Sequence, residues 1–422
     1  MTDALDFLLS LPALHAAGDR KGITSVCSAH PTVIEAALIE AAATHQFALI
    51  EATCNQVNQD GGYTGMTPLA VRAFVLNIAK TLNFPASKIL FGGDHLGPNP
   101  WRKLPADQAM AKALTMTHAY AAAGFAKIHL DASMSCADDP TPLPPATIAT
   151  RAALLAQAAE AGAISQNLPP PAYIIGTEVP VPGGATHALT TLEISNPTDA
   201  ATTIALHEAS FAALNLTAFP RVIALVVQPG VEFGHTDVIP YDPTLATALK
   251  TNRPKNILYE AHSTDYQTAE ALRHLVQDGF AILKVGPGLT FALREALYAL
   301  DLIASELTDY PAQSLPKAMD ALMQAQPSDW QAYYHGTPRE LHLMRHFSYS
   351  DRIRYYWNQP QAQAATAQLF TALQDQKIPA PLISQYLPRL TDTEPAAKAL
   401  TLAAVRAALA PYSQACLEPH PR

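Results

Sequence analysis

Four stretches put carboxylates and imidazoles where apolar runs end: "FGGDHLGPNPW" (91–101), "KIHLDAS" (127–133), "VVQPGVEFGH" (226–235) and "YEAHSTDYQT" (259–268). A neutral imidazole is a metal ligand and a carboxylate moves protons. His95, His235 and His262 lie at the ends of three separate runs. Three such histidines make a zinc-type site with a fourth position open for substrate. Asp94, beside His95, is then the group that moves a proton on the substrate, and Glu178 in "GTEVPVPGG" (176–184) is an oxygen ligand or a second acid/base group. The Gly92-Gly93 pair is expected to bend the backbone so that Asp94 and His95 both reach the site. Zn²⁺ suits the donors best, and Mn²⁺, Co²⁺ or Ni²⁺ also fit.

Other polar residues at the same run ends are candidate substrate contacts: Ser28, His30, Glu51, Asn55, Gln56, Asp131, Gln228, Asp265 and Lys284. A desolvated lysine such as Lys284 can form a Schiff base with a ketose. Pairing with a neighbouring acid is the alternative for it.

Positioning these residues requires strands. Eight runs rich in Ile, Val and Leu recur at 22–30, 47–55, 88–95, 127–133, 172–180, 221–229, 256–263 and 281–288. Ala-rich segments with one-face apolar spacing separate them, for example from Pro31 to His45. Helices are expected after Thr67, Pro105, Pro145, Asn196 and Asp265, with Thr290 as the N-cap of another. Strand–helix alternation means a parallel sheet, and eight units favour a closed (β/α)8 TIM barrel, which carries its chemistry at the C-terminal strand ends. An open Rossmann sheet would show G-x-G-x-x-G after its first strand, and none is present. The barrel is expected over residues 1–308, with 309–422 as a helical extension packed on it. The aromatic and basic cluster Tyr349, Arg352, Arg354, Tyr355 and Tyr356 in that extension is an interface, a lid over the barrel mouth or an ordinary packed helix face.

The 422 residues are 49% hydrophobic and 15% charged, ordinary for a globular chain, and the formal charge is -9. Without a basic run, nucleic-acid binding is not expected. No apolar stretch is long enough to span a bilayer. Asp3 and Asp6 stand where an export signal would be positive. The four cysteines form no C-x-x-C pair, in keeping with a reduced, cytoplasmic chain.

The motifs "SVCSAHPTVIEAA", "NQVNQDGGYTGMTP", "GGDHLGPNPW", "KIHLDASMSCADDP", "GTEVPVPGG", "VVQPGVEFGH", "YEAHSTDYQT", "LKVGPGLTFALREALY" and "FSYSDRIRYYW" resemble the Z-type subunit family of D-tagatose-1,6-bisphosphate aldolase (GatZ/KbaZ) from about Gly22 to Trp357. The resemblance implies a class II, metal-dependent aldolase barrel, a ketohexose or ketohexose phosphate as substrate, and a Y-type aldolase subunit as partner; a homo-oligomer is expected as well. It assigns Asp94 to acid/base work, His95, His235 and His262 to the metal, and Glu178 to a carboxylate near it. Three departures stand out. Ser263, Thr264 and Asp265 follow His262 where class II aldolases carry a Gly-Gly-Ser phosphate loop. "KVGPGLT" replaces the strand-eight phosphate ligands, and no acid follows Gly183-Gly184 before Glu193. The family name favours the aldolase subunit. The departures favour a metal-dependent C4-epimerase of an unphosphorylated or singly phosphorylated ketohexose. A silent stabilising subunit is the reading from a different class.

Overall fold

The computed structural model describes residues 3–177, 192–390 and 392–417. Eight parallel strands close into a barrel: β1 (Ile23–Cys27), β2 (Ala48–Thr53), β3 (Ile89–Leu96), β4 (Lys127–Leu130), β5 (Ala172–Ile175), β6 (Val222–Val227), β9 (Leu258–Ala261) and β10 (Phe280–Val285). β10 pairs with β1 to complete it, in the order β1-β10-β9-β6-β5-β4-β3-β2. A two-stranded hairpin, β7 (Glu232–Phe233) with β8 (Val238–Ile239), interrupts the connection from β6 to β9. All eight apolar runs became barrel strands. They are buried on both faces, as parallel strands covered by helices must be.

The helices follow their caps. Thr67, Asn196 and Thr268 each accept from a backbone amide in the first turn of the next helix. One start differs from the sequence expectation. The last barrel helix runs Pro287–Leu307, so Thr290 lies inside its first turn rather than capping it. Pro287 supplies the fixed φ that a helix start favours. The N-terminal helix Ala4–Ala16 packs Leu8 and Leu11 against Ile23, Leu49, Leu90 and Leu258, closing the face of the barrel opposite the strand ends.

Beyond residue 308 the chain is helical. Its last helix, Ala397–Leu417, packs on the helices Pro31–Ala43, Ala269–Gln277 and Pro287–Leu307. Tyr412 Oη donates to the Thr264 carbonyl at 2.5 Å, and the Gly22 amide donates to the Cys416 carbonyl at 3.2 Å. Among the described residues no helix is long and apolar enough to cross a membrane.

Candidate metal centre and cleft

Strand alternation gathers the polar side chains at the C-terminal mouth. Lys127, His129 and Asp131 sit at every second position of one strand and its continuation, as do Glu260 and His262. Glu51 on β2 is in register with Gly92 on β3, which is in register with Lys127 on β4. A Cβ at Gly92 would lie 2.6 Å from Glu51 Cγ, and one at Gly93 would lie 2.6 Å from Leu96 Cδ1. Neither glycine has a positive φ; His95 itself does, at 48°. The two glycines therefore make room for neighbouring side chains. The bend expected of them falls at His95, beside a register shift between Gly93 and Leu96. A left-handed non-glycine residue costs about 1–3 kcal/mol and is found where surrounding structure holds it for function.

Two lysines run through the layer beneath. Lys127 Nζ lies 2.6 Å from both Glu51 Oε1 and Glu260 Oε2, with all three side chains fully buried. Lys284 Nζ contacts Glu51 and lies 2.8 Å from Asp94 Oδ2. Burial disfavours the Lys284 ammonium, but Asp94 and Glu51 overcome it and hold the pKa well above the ordinary lysine value. A lysine held protonated is not a Schiff-base nucleophile, so the pairing alternative describes Lys284.

Above this layer stand three imidazoles: His95, His129 and His262. Their ring centroids are 4.9, 5.0 and 5.3 Å apart. Each ring has one nitrogen on a carboxylate. His95 Nδ1 is 2.8 Å from Asp131, His129 Nδ1 is 3.0 Å from Asp94, and His262 Nε2 is 2.9 Å from Glu260. Carboxylates in this position fix tautomer and orientation in metal-binding histidines. His129 Nδ1 also faces the His95 amide, which donates to it at 3.2 Å, and His129 Nε2 is buried without a hydrogen-bond partner. A cation beside it would give that buried nitrogen a partner in place of the full desolvation cost of an unmade hydrogen bond. One ligand atom from each of Asp94, His95, His129 and His262 lies within 4.8 Å of the others.

Charge points the same way. Glu51, Asp94, Asp131 and Glu260 are four buried carboxylates around these rings, against two buried ammonium groups, Lys127 and Lys284. Four against two leaves two negative charges when the imidazoles are neutral, the charge a divalent cation matches. Burial pulls His262 down to about 3, so it is neutral. Burial opposes charge on His95 also, but Asp94 and Asp131 outweigh it and push the ring upward, so that a proton serves as counter-charge. On Asp94 burial works against ionisation, and His95 and Lys284 prevail, holding the carboxyl well below the usual range. The donors and the charge both fit a divalent cation.

A cleft opens over the cluster, lined by Asp94, His95, His262 and Lys284 together with Asn55, Gln56, Asp265, Tyr63, Arg354 and Tyr355. Ser28 and His30 line the adjoining pocket, where His30 Nδ1 caps the helix Pro31–Ala43 by accepting from the Thr32 amide. Glu51 and Asp131 lie behind the cleft wall, holding Lys127, Lys284 and His95. Two expected residues are elsewhere. Gln228 Oε1 accepts from the amides of Gly230 and Val231 and shapes the loop after β6. His235 is outside the cluster because the β7–β8 hairpin carries it to the C-terminal extension. There its ring nitrogens lie 3.1 Å from Ser350 Oγ and 3.2 Å from the Tyr333 carbonyl, and His129 completes the triangle. Glu178 lies outside the described residues.

Asp265 has a defined place. Its Oδ1 accepts from the amides of Gly286 and Gly288 at 2.9 and 2.7 Å, at the start of the helix Pro287–Leu307. Those amides are the donors that a helix N-terminus offers to phosphate. Here a carboxylate already takes them.

Comparison with known proteins adds three findings. A family model described as D-tagatose-1,6-bisphosphate aldolase subunit GatZ/KbaZ-like matches residues 8–417. A D-tagatose 6-phosphate 4-epimerase of Agrobacterium fabrum is 54% identical over 97% of this chain and 98% of its own, and the D-tagatose-1,6-bisphosphate aldolase subunit GatZ of Klebsiella pneumoniae is 53% identical over 89% of each. The crystal structure of a probable tagatose 6 phosphate kinase from Sinorhizobium meliloti is 53% identical, covers 94% of this chain and 100% of its own, and superposes with a TM-score of 0.87.

Proposed function

This chain belongs to the GatZ/KbaZ-like family of D-tagatose-1,6-bisphosphate aldolase subunits, and from that premise we propose that it is itself a divalent-metal-dependent enzyme, the 4-epimerase of a ketohexose 6-phosphate such as D-tagatose 6-phosphate. The observation that carries this reading is the three-histidine cluster, each ring backed by a carboxylate and His129 Nε2 buried without a hydrogen-bond partner. A purely stabilising subunit has no use for that arrangement. The Agrobacterium relative, similar over nearly its whole length, supports the epimerase over the aldolase. So does Asp265, which removes one of the phosphate sites a bisphosphate needs.

His95, His129 and His262 would hold the metal, with Asp94 as a fourth donor or the proton acceptor. Zn²⁺ suits these donors, and Mn²⁺, Co²⁺ and Ni²⁺ fit them too. The chemistry a divalent cation supplies when bound there is polarisation of the substrate's oxygens. The protein's own groups do the rest. Asp94, ionised and beside Lys284 at the cleft, takes the C4 hydroxyl proton. The C3–C4 electron pair passes to C3 and is stabilised by conjugation with the C2 carbonyl. The aldehyde formed at C4 turns its other face, the bond re-forms, and the proton returns to the C4 oxygen. No oxidant is needed. Glu178, which the family resemblance puts near the metal, is the candidate for a second acid/base role.

The test is to incubate the purified chain alone, stripped and then reloaded with each metal, with D-tagatose 6-phosphate. Metal-dependent appearance of D-fructose 6-phosphate is expected. Triose products from the bisphosphate would make the chain an aldolase. Absence of bound metal and of turnover, with rescue of a Y-type aldolase subunit, would overturn the proposal in favour of a stabilising role.

A further inference from the structure

Arg354 is a cation in the cleft that the proposed chemistry does not use. It comes from the C-terminal extension, on a short helix Arg352–Tyr356, and lines both the cleft over the histidines and the pocket beside it. It is thus at the junction of the two spaces. Its guanidinium donates to the carbonyls of Ser350 and Asp351 and, at 2.8 Å, to Tyr355 Oη. Among the described residues no carboxylate lies within ion-pair distance of it. Lys127, Lys284, Arg151, Arg221 and Arg345 all have such partners.

The surroundings suit an anion. Arg354 Cζ lies 4.4 Å from the Tyr355 ring centroid, which fixes the fork against an aromatic face. Tyr63 meets Tyr355 edge-on at 4.9 Å, and Tyr63 and Asn55 line the same cleft. These groups offer donors, and no ionised carboxylate contacts the guanidinium. The helix N-termini nearest the cleft are already capped, one by Asp265 and one by His30.

We propose that Arg354, with Tyr63 and Asn55 beside it, receives the terminal phosphate of the ketose phosphate and sets the preference for phosphorylated over free ketose. This rests on the reading that the histidine cluster turns over a ketose. A charge-assisted pair of this kind changes affinity by roughly 10–100-fold.

Two measurements on the full metal-loaded chain test it. The first is binding of inorganic phosphate by calorimetry to wild type, Arg354→Gln and Arg354→Lys, with metal content and circular dichroism as controls for folding. The second is the ratio of kcat/KM for D-tagatose 6-phosphate over D-tagatose. Expected are a loss of phosphate affinity of about 10–100-fold in Arg354→Gln, partial recovery in Arg354→Lys, and a matching fall in the kcat/KM ratio through KM. Should Arg354→Gln misfold, Tyr63→Phe in the same two assays keeps the question open to an answer. Phosphate affinity and substrate preference unchanged in a folded variant overturn the assignment. Phosphate binding that depends on Arg354 in a chain that turns over no ketose supports the anion site while the epimerase reading fails.

Discussion

Asp131→Asn probes the metal centre without removing a ligand. Asp131 is 3% exposed. Its Oδ2 holds His95 Nδ1 at 2.8 Å, and its Oδ1 accepts from Ser133 Oγ at 2.6 Å. The substitution keeps the shape and an acceptor oxygen. It removes one of the four buried negative charges, so the excess that a divalent cation matches falls from two to one. It also weakens the contact that selects the His95 tautomer. Loss of such a supporting carboxylate lowers metal affinity by about 10–100-fold. That is about 1.4–2.7 kcal/mol. The assay is competition for Zn²⁺ against a chromophoric chelator at fixed pH, on protein whose circular dichroism matches wild type. A second readout follows by linkage: the rise in unfolding free energy caused by a given excess of metal should shrink by the same amount. Metal affinity equal to wild type in a folded Asp131→Asn chain would refute both the ligand set and the charge argument.

Three further outcomes are expected. Lys127→Met leaves Glu51 and Glu260 without the ammonium that bridges them at 2.6 Å, and should lower the urea unfolding free energy by about 3–5 kcal/mol; an unchanged midpoint would mean the two acids are protonated instead. Gly97→Ala puts a Cβ 1.6 Å from the Asp131 carbonyl and should cost at least about 3 kcal/mol or abolish soluble expression, whereas a wild-type melting curve would show that the strand ends can part. Asp351→Asn tests a buried acid. Burial, against the pull of Arg294 and the Thr290 hydroxyl, raises Asp351 to about 7 from 3.8. Between those values the native state holds a proton that the unfolded chain has lost, so wild-type stability should fall as pH rises from about 4 to about 7. The variant should lack that part of the slope and gain roughly 4 kcal/mol or less at pH 8; parallel stability–pH curves would count against it.

The barrel was legible because buried parallel strands are near-continuous apolar runs, and all eight runs stand out from the Ala-rich helices. The deep layer was half legible. Alternation puts Lys127, His129 and Asp131 on one side, and Glu260 with His262, from sequence alone. It does not say which histidine meets which, since ligands from different strands are joined only by closure. His129 stands between Ile128 and Leu130, with no adjacent acid of the kind that marks His95. His235 ends a run like the others, but a short hairpin turns it to Ser350 and Tyr333, more than ninety residues later in the chain. Arg354 and Tyr355 reach the cleft from far along the chain, and a local motif carries no record of where such a segment docks.

The last helix has a consequence for how the chain is made. The seam where β10 meets β1 is the final strand pairing of the barrel, and the Cys416 carbonyl then takes the amide of Gly22, the residue before β1. Segments almost four hundred residues apart, around Gly22 and Cys416, thus lie against each other. Such contacts between distant parts of a chain are slow to form. On a ribosome, β1 can pair with β2 early, but its other edge must wait for β10 (Phe280–Val285). Early half-barrels would expose β1 and its apolar flank meanwhile, the kind of edge that other chains can join. The histidine cluster, drawn from β3, β4 and the end of β9, cannot assemble before His262 has been made.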